Sequence, residues 1–217
     1  LDNVDYGKKA VNKDVYQESD AGQWAENDDG TGKWVRYDGD GHMIKGWQTN
    51  SSGTYYFDPV YGTMIKGCAT IDGSDYYFDW NTGIRQTGDV ANRMLTAKRV
   101  VDLVNQQRAA AGVGQLKMDG SVTQVAMLRA QELTQLFSHT RPNGTSCFTA
   151  LQEAGIFYWS AGENIAWGQQ SPELVMNSWM NSTGHRQNIL NSTYTKIGVG
   201  YYVQNGRPYW VQMFIYQ

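Results

Sequence analysis

From residue 92 onward the apolar positions fall at helical spacing. The segment 92–111, NRMLTAKRVVDLVNQQRAAA, places Leu95, Val100, Val101, Leu103 and Val104 at mostly helical spacing and stops at Gly112, which predicts a helix. A second helix is expected from Ser121 to Phe137, turning Val122, Val125, Ala126, Leu133, Leu136 and Phe137 towards a core. A short helix follows over Cys147–Ala154 and ends at Gly155, a residue suited to helix C-termini. The next opens at Ser171, a side-chain cap, with Pro172 in the first helical position and Glu173 in the first turn, where each is favoured. A further helical turn is expected around Gly184–Leu190. The pattern then changes to alternation: KIGVGYYV and PYWVQMFIY flank an Asn205-Gly206 step, a strong hairpin signal. Helices followed by an antiparallel pair predict an α+β layered domain over residues 89–217.

The first 88 residues follow another rule. Residues 1–30 are polar and without sustained period, and read as a linker or an incomplete repeat. Over residues 31–88 the segments GHMIKG, GTMIKG and GIRQTG close on Gly46, Gly67 and Gly88, 21 residues apart, and are preceded in turn by the aromatic runs WVRYD, YYFDP and YYFDW. A fixed period of this length marks an array whose units bury their apolar faces only by stacking. Aromatics bounded by Asp-Gly, Ser-Gly and Asn-Thr-Gly turns make each unit a short β-hairpin.

Composition narrows the function classes. With 41% hydrophobic and 18% charged residues the chain can build a core, and no apolar run approaches the roughly 20 residues of a membrane span. The opening LDNVDYGKKA lacks the pattern of a signal peptide, so any export signal is expected to have been removed. Residues 1–88 carry 8 Lys and Arg against 14 Asp and Glu, a net of −6, and residues 89–217 carry 10 against 7, a net of +3. The basic residues are scattered, and nucleic acid, which demands a dense cationic patch, is not an expected partner. Cys68 and Cys147 lie one in each half, which favours two unpaired thiols over a clamp between the halves.

The repeat units resemble the choline-binding and glucan-binding repeats of bacterial surface proteins, in which a Gly-Trp step, an aromatic run and Gly-x-Met-x-x-Gly recur. In that family, aromatics of neighbouring hairpins box a quaternary ammonium or stack on sugar rings. The matching positions are Trp34, Trp47, Tyr55, Tyr56, Tyr76 and Tyr77, and the partner implied is a cell-wall polymer, choline-bearing or glycan. These aromatics serve either as ligand contacts or as the core of the array. The Gly-Trp step survives only at Gly46-Trp47, becoming Gly67-Cys68 and Gly88-Asp89.

The rest of the chain carries a second resemblance. The ordered series LVNQQR, SHTRPNG, GENIAWG, SWMNSTGHRQNILN and IGVGYYV is similar to the bacterial branch of the CAP superfamily, named for cysteine-rich secretory proteins, venom allergens and plant pathogenesis-related proteins. The resemblance implies an α-β-α sandwich around a central antiparallel sheet and a secreted protein on the surface of a Gram-positive bacterium. It also implies a cleft with two His and two Glu, of which His139, Glu163 and His185 match three. The fourth position falls at Ser182, after Trp179, so the paired carboxylates of an acid/base mechanism are incomplete. Glu132, seven residues before His139, is a candidate substitute if its helix borders the cleft.

His139 and His185 are expected to face each other, as in the family, and to bind Zn²⁺ or a similar divalent ion weakly. The primary functional expectation is a wall-tethered protein whose cleft binds a ligand, partner or metal. The alternative is an extracellular, peptidase-like hydrolase using the His and Glu side chains. Cys147 would be its nucleophile only if a helix N-terminus lowered its pKa, and no Gly-x-Ser-x-Gly elbow is present. Lipid binding, known in some eukaryotic relatives, is a third reading.

Overall fold

The computed structural model describes residues 24–26, 34–36, 38 and 42–217, and the chain divides into two compact units, Leu1–Thr87 and Gly88–Gln217.

The first unit is a run of antiparallel hairpins: β1 (Trp24–Glu26) with β2 (Trp34–Arg36), β3 (Gly46–Asn50) with β4 (Gly53–Phe57), and β5 (Gly67–Ile71) with β6 (Ser74–Phe78), to which β7 (Arg85–Gln86) adds a third strand. β1 lies inside the segment read as linker or partial repeat and pairs with β2. The repeated glycines have a backbone cause, since Gly46, Gly67 and Gly88 all adopt φ between 65° and 80°, a region that side chains resist. Asp58 and Asp79, also one period apart, each accept two backbone N–H groups in the turn that follows. Tyr55, Phe57 and Met64 form a buried cluster flanked by Ile44 and Ile84, so the recurring methionine is a packing residue.

The second unit is a three-layer α-β-α sandwich. Its sheet has the order β8 (Lys117–Met118), β10 (Lys196–Gln204), β11 (Arg207–Tyr216), β9 (Ser160–Trp167), with β8 parallel to β10 and the rest antiparallel. Alternation along β11 divides the core. Trp210 and Phe214 join Val100, Val104, Val175 and Trp179 from α1 (Gly88–Ala110) and α4 (Pro172–Met180). Val211, Met213 and Ile215 face Val125, Ala126, Ala130 and Leu151 from α2 (Gly120–Glu132) and α3 (Thr149–Glu153). α5 (Thr183–Ile189) closes the first of these layers. The Asn205-Gly206 turn has φ of 51° and 73° and pairs Gln204 with Arg207, as its sequence requires.

Two glycines on β10 let α2 lie directly on the sheet. A Cβ at Gly200 would stand 1.9 Å from the Ala126 carbonyl oxygen, and one at Gly198 2.3 Å from the Val122 carbonyl carbon.

Three expectations need correction. α2 ends at Glu132 instead of Phe137, with Leu133 as its cap; Leu136 and Phe137, expected in the core, are 42% and 45% exposed. The segment around Glu163, to which the sequence pattern assigns no element, is the edge strand β9, whose burial on both faces erases the alternation that marks a strand. α3 begins at Thr149, after Cys147.

Candidate functional site

Glu163 and Asn164 are neighbours on β9 and therefore point to opposite faces of the sheet. Glu163 turns towards α2, where Arg129 donates from Nε to Oε2 at 2.9 Å and from Nη2 to Oε1 at 3.4 Å. Its Oε1 also lies 2.8 Å from His139 Nδ1. Asn164 turns towards α5 and donates to the backbone carbonyl of His185 at 3.0 Å and to Gln212 at 2.9 Å. Asn188, on α5, donates to the Asn164 side chain at 2.9 Å. The position of α5 is fixed from behind by buried Arg108, which donates to the carbonyls of Ile189 and Asn191, both at 2.8 Å.

The two histidines arrive on different supports. His139 sits on the loop after α2, where Arg129 Nη2 donates to the Ser138 carbonyl at 2.8 Å and the Cys147 N–H to the His139 carbonyl at 2.9 Å. Its side chain is 58% exposed, whereas that of Glu163 is 1% exposed. With Nδ1 held by the carboxylate, Nε2 is left for solvent or a ligand. His185 is half-buried in the first turn of α5. Burial, and then the proximity of His139, push its pKa below the ordinary histidine value.

A cleft of about 480 Å³ opens over this arrangement, lined by His139, Ser146, Cys147, Phe148, Glu163 and Asn188 among others. The ligand-type atoms of His139, Cys147 and Glu163 lie within 4.8 Å of one another. His185, expected as the second metal ligand, is not in that group. The three fit a cation imperfectly: Glu163 already pairs with a guanidinium, and Cys147 would first have to lose its proton. Burial and the negative charge of Glu163 raise the Cys147 thiol to about 12, which removes the cysteine nucleophile.

Glu132 does not substitute for the missing carboxylate. It accepts from Arg129 Nη1 at 2.6 Å and from Arg141 Nη2 and Nε at 2.8 and 3.0 Å, and it lines a separate depression beside Leu128 and Pro142. Burial acts to raise its pKa, but the bonds from Arg141 and Arg129 outweigh this and hold it below the usual carboxylate range. Ser182 is the N-cap residue of α5 and makes no side-chain capping bond.

The sequence left Arg129, Asn164, Asn188 and Gln212 unremarked. For Arg129 a signal existed: it falls on the same stripe as Val122, Val125 and Ala126, an arginine where the helix should be apolar. The three amides carry no comparable mark.

The aromatic positions of the repeats also separate. Tyr55 and Tyr77 are 4% exposed and belong to the interior, which corrects their reading as ligand contacts. Trp47 is 38% exposed and packs edge-on against Tyr56 and Tyr76, with ring centroids 4.9 Å away in both cases. The side chain of Trp34 lies outside the described residues. His42 is exposed, with Nδ1 3.6 Å from Asp38.

The sequence model of the cysteine-rich secretory protein family matches residues 101–214. The chain belongs to this family. A relative, the uncharacterized protein YkwD of Bacillus subtilis strain 168, is 44% identical over 120 residues, covering 54% of this chain and 46% of its own. The chain spans less than half the length of the curated relatives it matches. Among solved structures, an extracellular protein containing a SCP domain from Bacillus anthracis superposes with a TM-score of 0.55 at 21% identity, over 79% of this chain and 66% of that one. An outer surface protein from Borrelia burgdorferi superposes with 0.52 at 22% identity, over 55% and 91%. These likenesses show the shared α+β fold of the cysteine-rich secretory protein family. Among the described residues, no helix is long and apolar enough to cross a membrane.

Proposed function

We propose that this is an extracellular, envelope-associated binding protein. The aromatic hairpins hold it to a wall polymer, choline-bearing or glycan, and the cleft at His139, Glu163 and His185 takes a ligand, a partner's side chain or, weakly, a divalent ion such as Zn²⁺. One observation favours binding over turnover: the carboxylates in and behind the cleft are committed to arginines, Glu163 to Arg129 and Glu132 to Arg129 and Arg141. An acid/base pair needs a carboxylate that can exchange a proton with substrate, and the remaining family position is Ser182. An outside location agrees with the descriptions of the two superposable proteins as extracellular and outer-surface.

The test of the tether uses the full chain on purified Gram-positive cell walls. Trp47→Ala is expected to lower retention more than Trp34→Ala, because Trp47 presents an exposed indole within an aromatic cluster. Undiminished retention of Trp47→Ala would make the hairpins spacers.

A hydrolase is the second reading, favoured by the His139–Glu163 contact at 2.8 Å, which orients an exposed imidazole as a general base does. Release of soluble fragments from wall material, abolished by His139→Ala, would establish it over binding alone.

A further inference from the structure

The exposed indole of Trp47 stands across the β3–β4 ladder from Tyr56, its register partner, and beside Tyr76 of the following hairpin. The planes of the two tyrosine rings are inclined to the indole by 64° and 71°, so the three rings make a corner instead of a stack. Such a corner offers negative ring faces to a cation. The cation is already there: the guanidinium carbon of Arg85, on β7, lies 4.9 Å from the Tyr76 centroid and 5.6 Å from that of Trp47. Among the described residues, no carboxylate pairs with Arg85.

We propose that Arg85 is the resident cation of this corner and determines what the repeat unit binds. It closes the Trp47–Tyr76 corner to quaternary ammonium groups and leaves recognition to neutral sugar rings stacking on the exposed indole.

Two features carry the inference. The guanidinium lies within the distance at which cation–π attraction operates for both rings, so an ammonium ligand would have to displace it or share the ring faces with a like charge. The next hairpin provides no alternative: Cys68 holds there the position that Trp47 holds on β3, each being the second residue of its strand and opposite a tyrosine, and a thiol supplies no ring face. Arg85 is exposed on a two-residue edge strand, so its replacement removes the charge without opening the core.

The inference takes its ligand class from the tether reading, but it is tested independently. Choline chloride is titrated into the full chain, its tryptophan fluorescence being followed for the native sequence, Arg85→Ala, Arg85→Gln and Arg85→Ala/Trp47→Ala, with circular dichroism to confirm that each is folded. The native chain is expected to show no saturable response. Either single variant gains one, at least about tenfold tighter than any native response, and the double variant loses it. Native choline binding as tight as that of Arg85→Ala, or no binding by both folded Arg85 variants, would overturn the proposal. Failure of the native chain to bind purified walls, with the choline results as expected, would remove the tether and leave the specificity of the corner standing.

Discussion

Arg129 Nε lies 2.9 Å from Glu163 Oε2, with neither side chain exposed by more than 1%. The same guanidinium holds Glu132 and the carbonyl of Ser138, so one side chain joins the edge strand, the end of α2 and the loop that carries His139. Two charges removed from water repay that cost only through each other and their remaining hydrogen bonds. Arg129 therefore supports the position of the exposed histidine through Glu163 and the Ser138 carbonyl.

Replacing this arginine should be costly. Arg129→Met leaves Glu163 without its buried counter-charge, and urea unfolding is expected to show a loss of about 3–5 kcal/mol. Arg129→Met/Glu163→Gln should be less destabilised than the sum of the single changes, because the orphaned charge is gone. A loss below about 1 kcal/mol for Arg129→Met would mean that the pair contributes no more than a surface bridge.

Cys147 should behave as an inert thiol. Raised to about 12 by burial and the carboxylate of Glu163, it should resist iodoacetamide at neutral pH in the folded chain and react on unfolding, as mass spectrometry of the labelled peptide would report. Rapid alkylation of the native protein would restore the nucleophile excluded above.

The titration of His185 has a defined sign. Its folded pKa is depressed, first by burial and then by His139, so the unfolded chain takes up this proton at higher pH than the folded one. The stability contributed by the neutral imidazole is complete above the ordinary histidine value and declines as pH falls from there to the folded pKa. Proton NMR should place the midpoint below about 6.5. His139→Ala should move it upward without reaching that value, since burial is the larger cause. An unmoved midpoint would show that the two imidazoles do not interact.

Zinc binding is expected to be weak, at micromolar affinity or worse, because Glu163 is shared with Arg129 and Cys147 retains its proton. By calorimetry, His139→Ala should abolish it and Glu163→Gln should reduce it, with the circular dichroism unchanged. Abolition by His185→Ala as well would support the facing-histidine arrangement, whereas zinc affinity unchanged in the His139→Ala, His185→Ala variant would place the ion elsewhere.

Much of this was legible in the sequence because the signals were local. The cap at Ser171, the turn at Asn205-Gly206 and the 21-residue period of glycines each reflect a backbone requirement met within a few residues. Short motifs pointed to His139 and Glu163, which line the cleft, and to His185, which sits on α5 and is not among the lining residues. Strand β9 was hidden because both its faces are buried, and the end of α2 because Leu136 and Phe137 continue a plausible apolar stripe into solvent. The amides around Asn164 were invisible for a different reason: their partners stand 21 to 48 residues away in the chain, and no spacing rule reaches that far.

The missing methyl groups at Gly198 and Gly200 give the cleft a remote point of failure. Through them α2 rests backbone to backbone on β10, and that depth sets the position of Arg129, one turn beyond Ala126 on the same buried stripe of the helix. A single added carbon at residue 200 would stand 1.9 Å from the Ala126 carbonyl oxygen, so α2 and β10 would have to move apart beneath the 2.9 Å ion pair. Gly200→Ala should therefore expose Cys147 to alkylation and shift the titration of His185 without altering any residue that lines the site, a lesion of the cleft inherited entirely from its foundations.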